Sequence, residues 1–280
     1  FSLSEEKIDE FRKRVNLYAK ENHNVMPKPV IVADKYLEKE DMTLSSVKGL
    51  SVFTAAKALL HDVSFSLNEG ENLVVLGKNG AGKSTLSQAV MGSTSLRTEG
   101  DIIFCKDNIS ALSTDKRSLL GMFLSFQNPP SIEGLSISEL LRTSLEVRGQ
   151  RTSLREFKLK ISEKMELLGL NPLEAERDLG SAFSGGEKKK LEILQILMLQ
   201  PKLVILDEID SGLDISAARK MSQILANYQQ ETGASFIIIT HNFRILKELS
   251  VSKTLLLEHG TIATTGGPEL IDKIQKEGFK

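Results

Sequence analysis

One glycine-rich run constrains this chain more than any other feature: Gly77-Lys78-Asn79-Gly80-Ala81-Gly82-Lys83-Ser84-Thr85. It matches G-x-x-x-x-G-K-[ST], the P-loop, a turn shaped to hold a polyphosphate. Backbone N–H groups must come close to the phosphate oxygens, and glycine permits both that approach and the left-handed turns it requires. The flanks agree with this reading. Leu73-Val74-Val75-Leu76 is a continuous apolar run, as a buried parallel strand should be, and Ser84 to Met91 has helical character. A helix starting there presents its positive dipole end to the anion. Lys83 is expected to reach the β- and γ-phosphates, and the Ser84 hydroxyl to ligate Mg2+.

The rest of the chain repeats the strand–helix alternation. β-rich runs are predicted at 48–53, 62–67 and 72–76, and further apolar strands at Leu203-Val204-Ile205-Leu206 and Ser235-Phe236-Ile237-Ile238-Ile239. Helices are predicted over 187–199 and 215–231. This pattern implies an α/β fold with a mainly parallel sheet, an antiparallel β part near its start, and an inserted helical subdomain over about 128–183. Residues 1–43 stand apart as an N-terminal extension, with 44–280 as the main domain. In the extension Ser2 and Glu5 fit a capping box, Ile8, Phe11, Val15 and Tyr18 fall at helical spacing, and Pro27 and Pro29 break the pattern. A small helix packed on the main domain, or an arm for a partner, fits that stretch. Its acidic residues argue against a transit peptide.

A second cluster of chemistry follows the Leu203–Leu206 run. Asp207 and Glu208 end an apolar strand, where a Mg2+-bound nucleotide needs carboxylates. Asp207 is the candidate to hold the ion, and Glu208 to polarise the attacking water as general base. Adjacent carboxylates at a strand end are common on surfaces. The P-loop in the same chain is what gives this pair weight.

Composition narrows the remaining classes. With Lys+Arg 36 against Asp+Glu 37, the formal net charge is −1, without the basic excess of a dedicated nucleic-acid binder. The one cysteine, Cys105, excludes an internal disulfide and a cysteine-built zinc site, and agrees with a cytoplasmic location. No apolar run approaches the ~18 residues of a membrane span, so no direct membrane insertion is expected.

Phe183-Ser184-Gly185-Gly186-Glu187, opening a helix between the P-loop and the Asp-Glu strand, resembles the signature of ABC-type ATPases. The resemblance covers about 44–280 and implies a P-loop NTPase of ABC type, with ATP and Mg2+ as cofactors and ATP hydrolysis as the activity. It further implies a role for Gln127, in Phe126-Gln127-Asn128, as the Q-loop glutamine sensing Mg2+ and water. Ser211-Gly212-Leu213-Asp214 resembles the D-loop, and His241 the switch histidine that contacts the γ-phosphate. In such proteins the Ser184-Gly185-Gly186 loop caps the nucleotide of a second copy, so a transient, ATP-dependent head-to-tail dimer is implied. The family also stacks adenine on an aromatic before the P-loop. Phe53 is the nearest candidate, with Val52 and Thr54 beside it for the same place.

Within the family, the stretches FSGGEKKK-LEILQ and LDEIDSGLD are similar to the SufC ATPases of the Suf iron–sulfur cluster assembly system. So are Phe126-Gln127-Asn128-Pro129-Pro130 and the C-terminal Gly266-Gly267-Pro268-Glu269-Leu270. Asn242 after the switch histidine and the 1–43 extension depart from that pattern. The SufC resemblance implies soluble scaffold partners of the SufB/SufD type. The rival expectations are the ATPase subunit of a membrane transporter and a nucleotide switch that does not hydrolyse.

Overall fold

The computed structural model describes residues 43–125, 132–180, 183–209, 211, 213–240, 243, 246 and 248–278. The expected extension over 1–43 lies outside these residues, apart from Thr43 itself, and so do Gln127 and His241.

In chain order, β1 (Thr43–Phe53) and β2 (Ala58–Asn68) lead to β3 (Asn72–Leu76) and helix α1 (Lys83–Val90). Next come β4 (Arg97–Phe104), β5 (Asp107–Asn108), α2 (Thr114–Leu119) and β6 (Met122–Ser125). Helices α3 (Ile137–Val147) and α4 (Leu154–Leu167), a 3-10 turn (Pro172–Glu176) and α5 (Gly185–Leu199) follow. The chain continues with β7 (Leu203–Asp207), α6 (Ile215–Thr232), β8 (Ser235–Ile239), β9 (Lys253–Glu258), β10 (Thr261–Gly266) and α7 (Pro268–Glu277).

These elements divide into two compact units, one spanning Asn128–Leu199, the other Lys39–Gln127 together with Gln200–Lys280. The helical unit therefore runs through α5, beyond the expected end near 183. The second unit holds two sheets. One is antiparallel, in the order β2-β1-β4-β5, and the other runs β10-β9-β3-β8-β7-β6. In the latter, β9, β3, β8, β7 and β6 are mutually parallel, and only β10 is antiparallel. Every residue of β3, β7 and β8 is buried, which is why these strands read as unbroken apolar runs instead of alternating. Leu50, Val63, Leu86, Phe104, Ile205 and Ile237 belong to one core cluster shared by both sheets and α1.

Topology then places the chemistry. Ligands of open α/β sheets sit beyond the carboxyl ends of the parallel strands. Here β3 runs into the glycine loop and β7 ends on Asp207, with β8 between them.

The helical unit is held by local signals. Both α3 and α4 begin with complete capping boxes, Ser136 with Glu139 and Ser153 with Glu156. Each box satisfies two backbone donors at the helix start. Phe157, Ile161 and Met165 are the buried side chains of α4, at i, i+4 and i+8.

Candidate nucleotide site

The loop after β3 has the conformation that its glycines permit. Gly77 has φ 154°, and a Cβ there would run into the Leu257 carbonyl oxygen. Gly82, at φ 107°, is the N-cap of α1, and a Cβ on it would lie 2.5 Å from Leu60 Cδ2. No side chain caps α1, and its first turn carries no acidic residue. The leading N–H groups of Lys83, Ser84 and Thr85 are thus left for an anion, with the helix dipole favouring one.

Lys83 is buried. Its ammonium donates to the carbonyls of Gly77 at 2.8 Å and Lys78 at 3.1 Å, so the loop folds around its own cation. Burial pushes the Lys83 pKa below the usual lysine value, and the Glu208 and Asp207 carboxylates partly offset that. One turn into α1, the Ser87 hydroxyl donates to Asp207 Oδ2 at 3.2 Å. The Ser84 side chain also favours the ionised Asp207 carboxylate. Burial raises the Asp207 pKa above the ordinary carboxylate value, against the pull of these two serines and of Lys83. Asp207 Oδ1 is buried with no hydrogen-bond partner among the described residues.

That orphaned oxygen is the test for Mg2+. The ion takes near-octahedral oxygen ligands, commonly one or two protein oxygens with phosphates and water supplying the rest. Asp207 Oδ1 and the Ser84 hydroxyl are oxygen donors of that kind. No group of three or more His, Cys, Asp or Glu residues among the described residues forms a separate metal cage. The donor set fits an ion brought in with a polyphosphate.

A cavity of about 540 Å³ opens over the loop, lined by Asn79, Gly80, Gly82, Lys83, Ser84 and Thr85 together with Lys57, Leu59 and Glu208. Glu208 sits in the left-handed region at φ 52°. Such a conformation costs about 1–3 kcal/mol in a non-glycine residue, and holding it aims the side chain that follows Asp207. Its backbone N–H donates to the Ile239 carbonyl at 2.9 Å, which ties the turn to β8.

Other expected site residues lie elsewhere. Phe53, expected under the adenine, does not line this cavity. The Arg97 guanidinium lies 4.6 Å from its ring centroid, and the ring lines a second cavity with Thr54, Ala58 and Leu96. The hairpin places Lys57 and Leu59, not an aromatic, over the loop. Asp214 is the N-cap of α6, where Oδ1 accepts from the Ser216 and Ala217 N–H groups at 2.8 and 2.9 Å. Ser184, Gly185 and Gly186 belong to the helical unit. Glu187 accepts the Ser184 N–H at 2.8 Å, while the Ser184 hydroxyl accepts the Glu187 N–H at 3.3 Å. This capping exchange, with Arg177 beside it, holds the Glu187 carboxyl below the usual carboxylate range. The Arg177 guanidinium stacks 4.1 Å from the Phe183 ring, bracing the residue before the signature. Among the described residues, no helix is long and apolar enough to cross a membrane.

Sequence reasoning missed Ser87, Lys57 and Leu59. Ser87 was legible in principle, because it lies three residues after Ser84 on the same helix face. Lys57 and Leu59 carry no motif, and only the hairpin brings them to the cavity.

The comparisons with known proteins agree with this geometry. The family model described as "ABC transporter" matches residues 60–211. A "Probable ABC transporter ATP-binding protein" of Streptococcus pyogenes serotype M3 is 39% identical over 85% of this chain and 94% of its own length. A solved "ATP binding subunit of ABC transporter" aligns with TM-score 0.68 and 26% identity, over 85% of this chain and 96% of that one. The dimeric post-hydrolysis structure of an ATP-binding cassette bound to ADP and Pi aligns with TM-score 0.69 at 19% identity, over 80% and 98% of the respective chains, and supports the fold. A loop that cradles phosphate, a buried carboxylate with one oxygen open to a cation and a family match over these same elements lead to one assignment: the chain belongs to the ABC transporter family, as an ATP-binding and ATP-hydrolysing cassette.

Proposed function

We propose that this ATPase drives conformational change in a soluble iron–sulfur cluster assembly scaffold, as the SufC ATPases it resembles do. The observation that carries the reading is the signature segment, where Phe183-Ser184-Gly185-Gly186-Glu187-Lys188-Lys189 has Glu at the position where transport ATPases more often have Gln. Glu187 has a physical task there, closing the cap on Ser184 and facing Arg177, with 3.9 Å between Arg177 Nη1 and Glu187 Oε1. The partners are then scaffold proteins of the SufB/SufD type. The chain has one cysteine and would not itself hold the cluster.

The residues divide the work as follows. The loop Gly77–Thr85 binds the phosphates, with Lys83 exchanging its two loop carbonyls for phosphate oxygens. Asp207 and Ser84 would hold Mg2+, which would neutralise charge on the transferring phosphoryl group. Glu208 accepts a proton from the attacking water. Gln127 and His241, outside the described residues, are assigned to sensing Mg2+ and the γ-phosphate. Ser184-Gly185-Gly186 and Asp214 complete the site of a second copy, so that ATP favours closure of the dimer and hydrolysis releases it.

The names of relatives such as the Streptococcus pyogenes protein support a second reading, the ATPase subunit of a membrane transporter. Affinity capture from native cells, followed by mass spectrometry, separates the two. Soluble scaffold proteins of the SufB/SufD type are the expected outcome. A polytopic membrane protein in their place refutes the assembly reading and leaves the ATPase assignment standing.

A further inference from the structure

The glycine loop rests on a hairpin turn. His259 and Gly260 join β9 to β10, with Glu258 paired to Thr261 across the turn. Both turn residues have positive φ, 48° and 79°, as a type I′ hairpin turn requires. The end of β9 meets the loop first. The Leu257 carbonyl oxygen leaves no room for a Cβ at Gly77, and Leu257 Cδ2 lies 3.3 Å from where a Cβ on Gly82 would be.

Gly260 then makes two hydrogen bonds that join separate parts of the same unit. Its N–H donates to the Ala81 carbonyl at 3.1 Å, inside the loop. Its own carbonyl accepts the His61 N–H at 2.8 Å, on β2, the edge strand of the antiparallel sheet. A Cβ on Gly260 would run into the Leu59 carbonyl oxygen of that strand. A residue without a side chain is what lets loop, turn and edge strand close on one another. The effect on the loop follows from its peptide plane. In a trans peptide the C=O and the next N–H point opposite ways. Holding the Ala81 carbonyl on Gly260 therefore turns the Gly82 N–H away from the turn. Gly82 lines the cavity over the loop, and Gly260 does not.

We propose that Gly260 is a positioning residue for nucleotide binding, which seats the phosphate loop in its binding shape before any nucleotide arrives. This rests on the loop holding the nucleotide phosphates and is independent of which machine the ATPase drives. The test is Gly260→Ala in the full chain, with Gly233→Ala as control. Gly233 ends α6 at φ 69°, with nothing within 4 Å of an added Cβ, next to the start of β8 and so at the opposite end of the parallel strands. The control thus carries the same kind of backbone strain away from the loop. Binding of Mg–ATP and ADP, steady-state turnover and thermal unfolding are measured on both. Gly260→Ala is expected to weaken both nucleotides and raise KM by about tenfold to a hundredfold, the scale of an ångström's misplacement. Its kcat at saturation should stay near wild type, as loss of uniform binding implies. Gly233→Ala is expected to lower Tm and keep the wild-type KM. A wild-type KM in Gly260→Ala, a loss confined to kcat, or an equal loss in Gly233→Ala overturns the proposal. Hydrogen exchange in the wild type decides the matter even if Gly260→Ala does not fold. The Gly260 amide is expected to exchange slowly without nucleotide, because its partner is already in place, and exchange at the rate of an unfolded chain overturns the proposal. Failure of the wild type to bind either nucleotide would overturn the family assignment along with it.

Discussion

Asp207→Asn is expected to make the nucleotide-free protein more stable while weakening its hold on Mg2+. In the structure Asp207 is buried, its Oδ2 accepts from Ser87 at 3.2 Å, and its Oδ1 has no partner among the described residues. An unsatisfied buried group costs about 1–3 kcal/mol, more when charged. Asparagine keeps an acceptor for Ser87 and removes the buried charge. It also removes an attraction to the Lys83 ammonium, so the net gain should be about 1 kcal/mol. For a chain of this size that is about 2–4 °C in Tm. The pH dependence provides an independent check. Because the folded-state pKa of Asp207 is raised, its protonated form is favoured by folding. That stabilisation is complete below the ordinary carboxylate range and is lost as pH rises through the raised folded value. The advantage of the variant should therefore be absent in acid, grow through that window and level off towards neutrality. Thermal unfolding of both proteins across this range, without nucleotide, measures it. Adding Mg–ATP at about a hundred times its Kd should stabilise the wild type by about 2.7 kcal/mol, and the variant by less. A variant less stable than wild type at neutral pH, or a difference independent of pH, would refute the reasoning that the orphaned oxygen is held in readiness for a cation.

Glu208→Gln should still bind ATP and turn it over about 10²–10⁴-fold more slowly in single-turnover assays, the usual loss for a general base. Wild-type rates would remove Glu208 from that role. Lys83→Ala should weaken ATP binding by at least tenfold in titration calorimetry, because the phosphates lose a point charge and the Gly77 and Lys78 carbonyls lose their donor. Arg117 is fully buried, and its guanidinium donates to the carbonyls of Ala89, Val90, Ser110 and Leu112, tying the end of α1 to its surroundings. Arg117→Met should cost about 3 kcal/mol by urea unfolding, since it strands those carbonyls. Specific ATPase activity should fall on dilution if Ser184 completes the site of a second copy, and concentration-independent turnover would argue for a self-sufficient monomer.

Much of the site could be read without coordinates because its elements are local. The spacing from Gly77 to Ser84 specifies a loop and a helix start through backbone geometry within a few residues, and the unbroken apolar runs of β3, β7 and β8 report burial on both faces. The Asp207-Glu208 pair lies directly at the end of such a run, so its position was also visible. The short or polar strands were not. β10 carries exposed threonines, β5 spans Asp107–Asn108, and β6 is brief, so none shows a period strong enough to recognise.

The sequence alone determined the phosphate loop, the parallel sheet beneath it and the carboxylates at the strand end, because each is set by residues adjacent in the chain. Tertiary structure decided which groups meet across it. It brought Ser87 to Asp207, put Lys57 and Leu59 over the loop, turned Phe53 under Arg97 and left one carboxylate oxygen without a partner. Those outcomes depend on strand order and hairpin geometry, which residues far apart in the chain settle only by packing together.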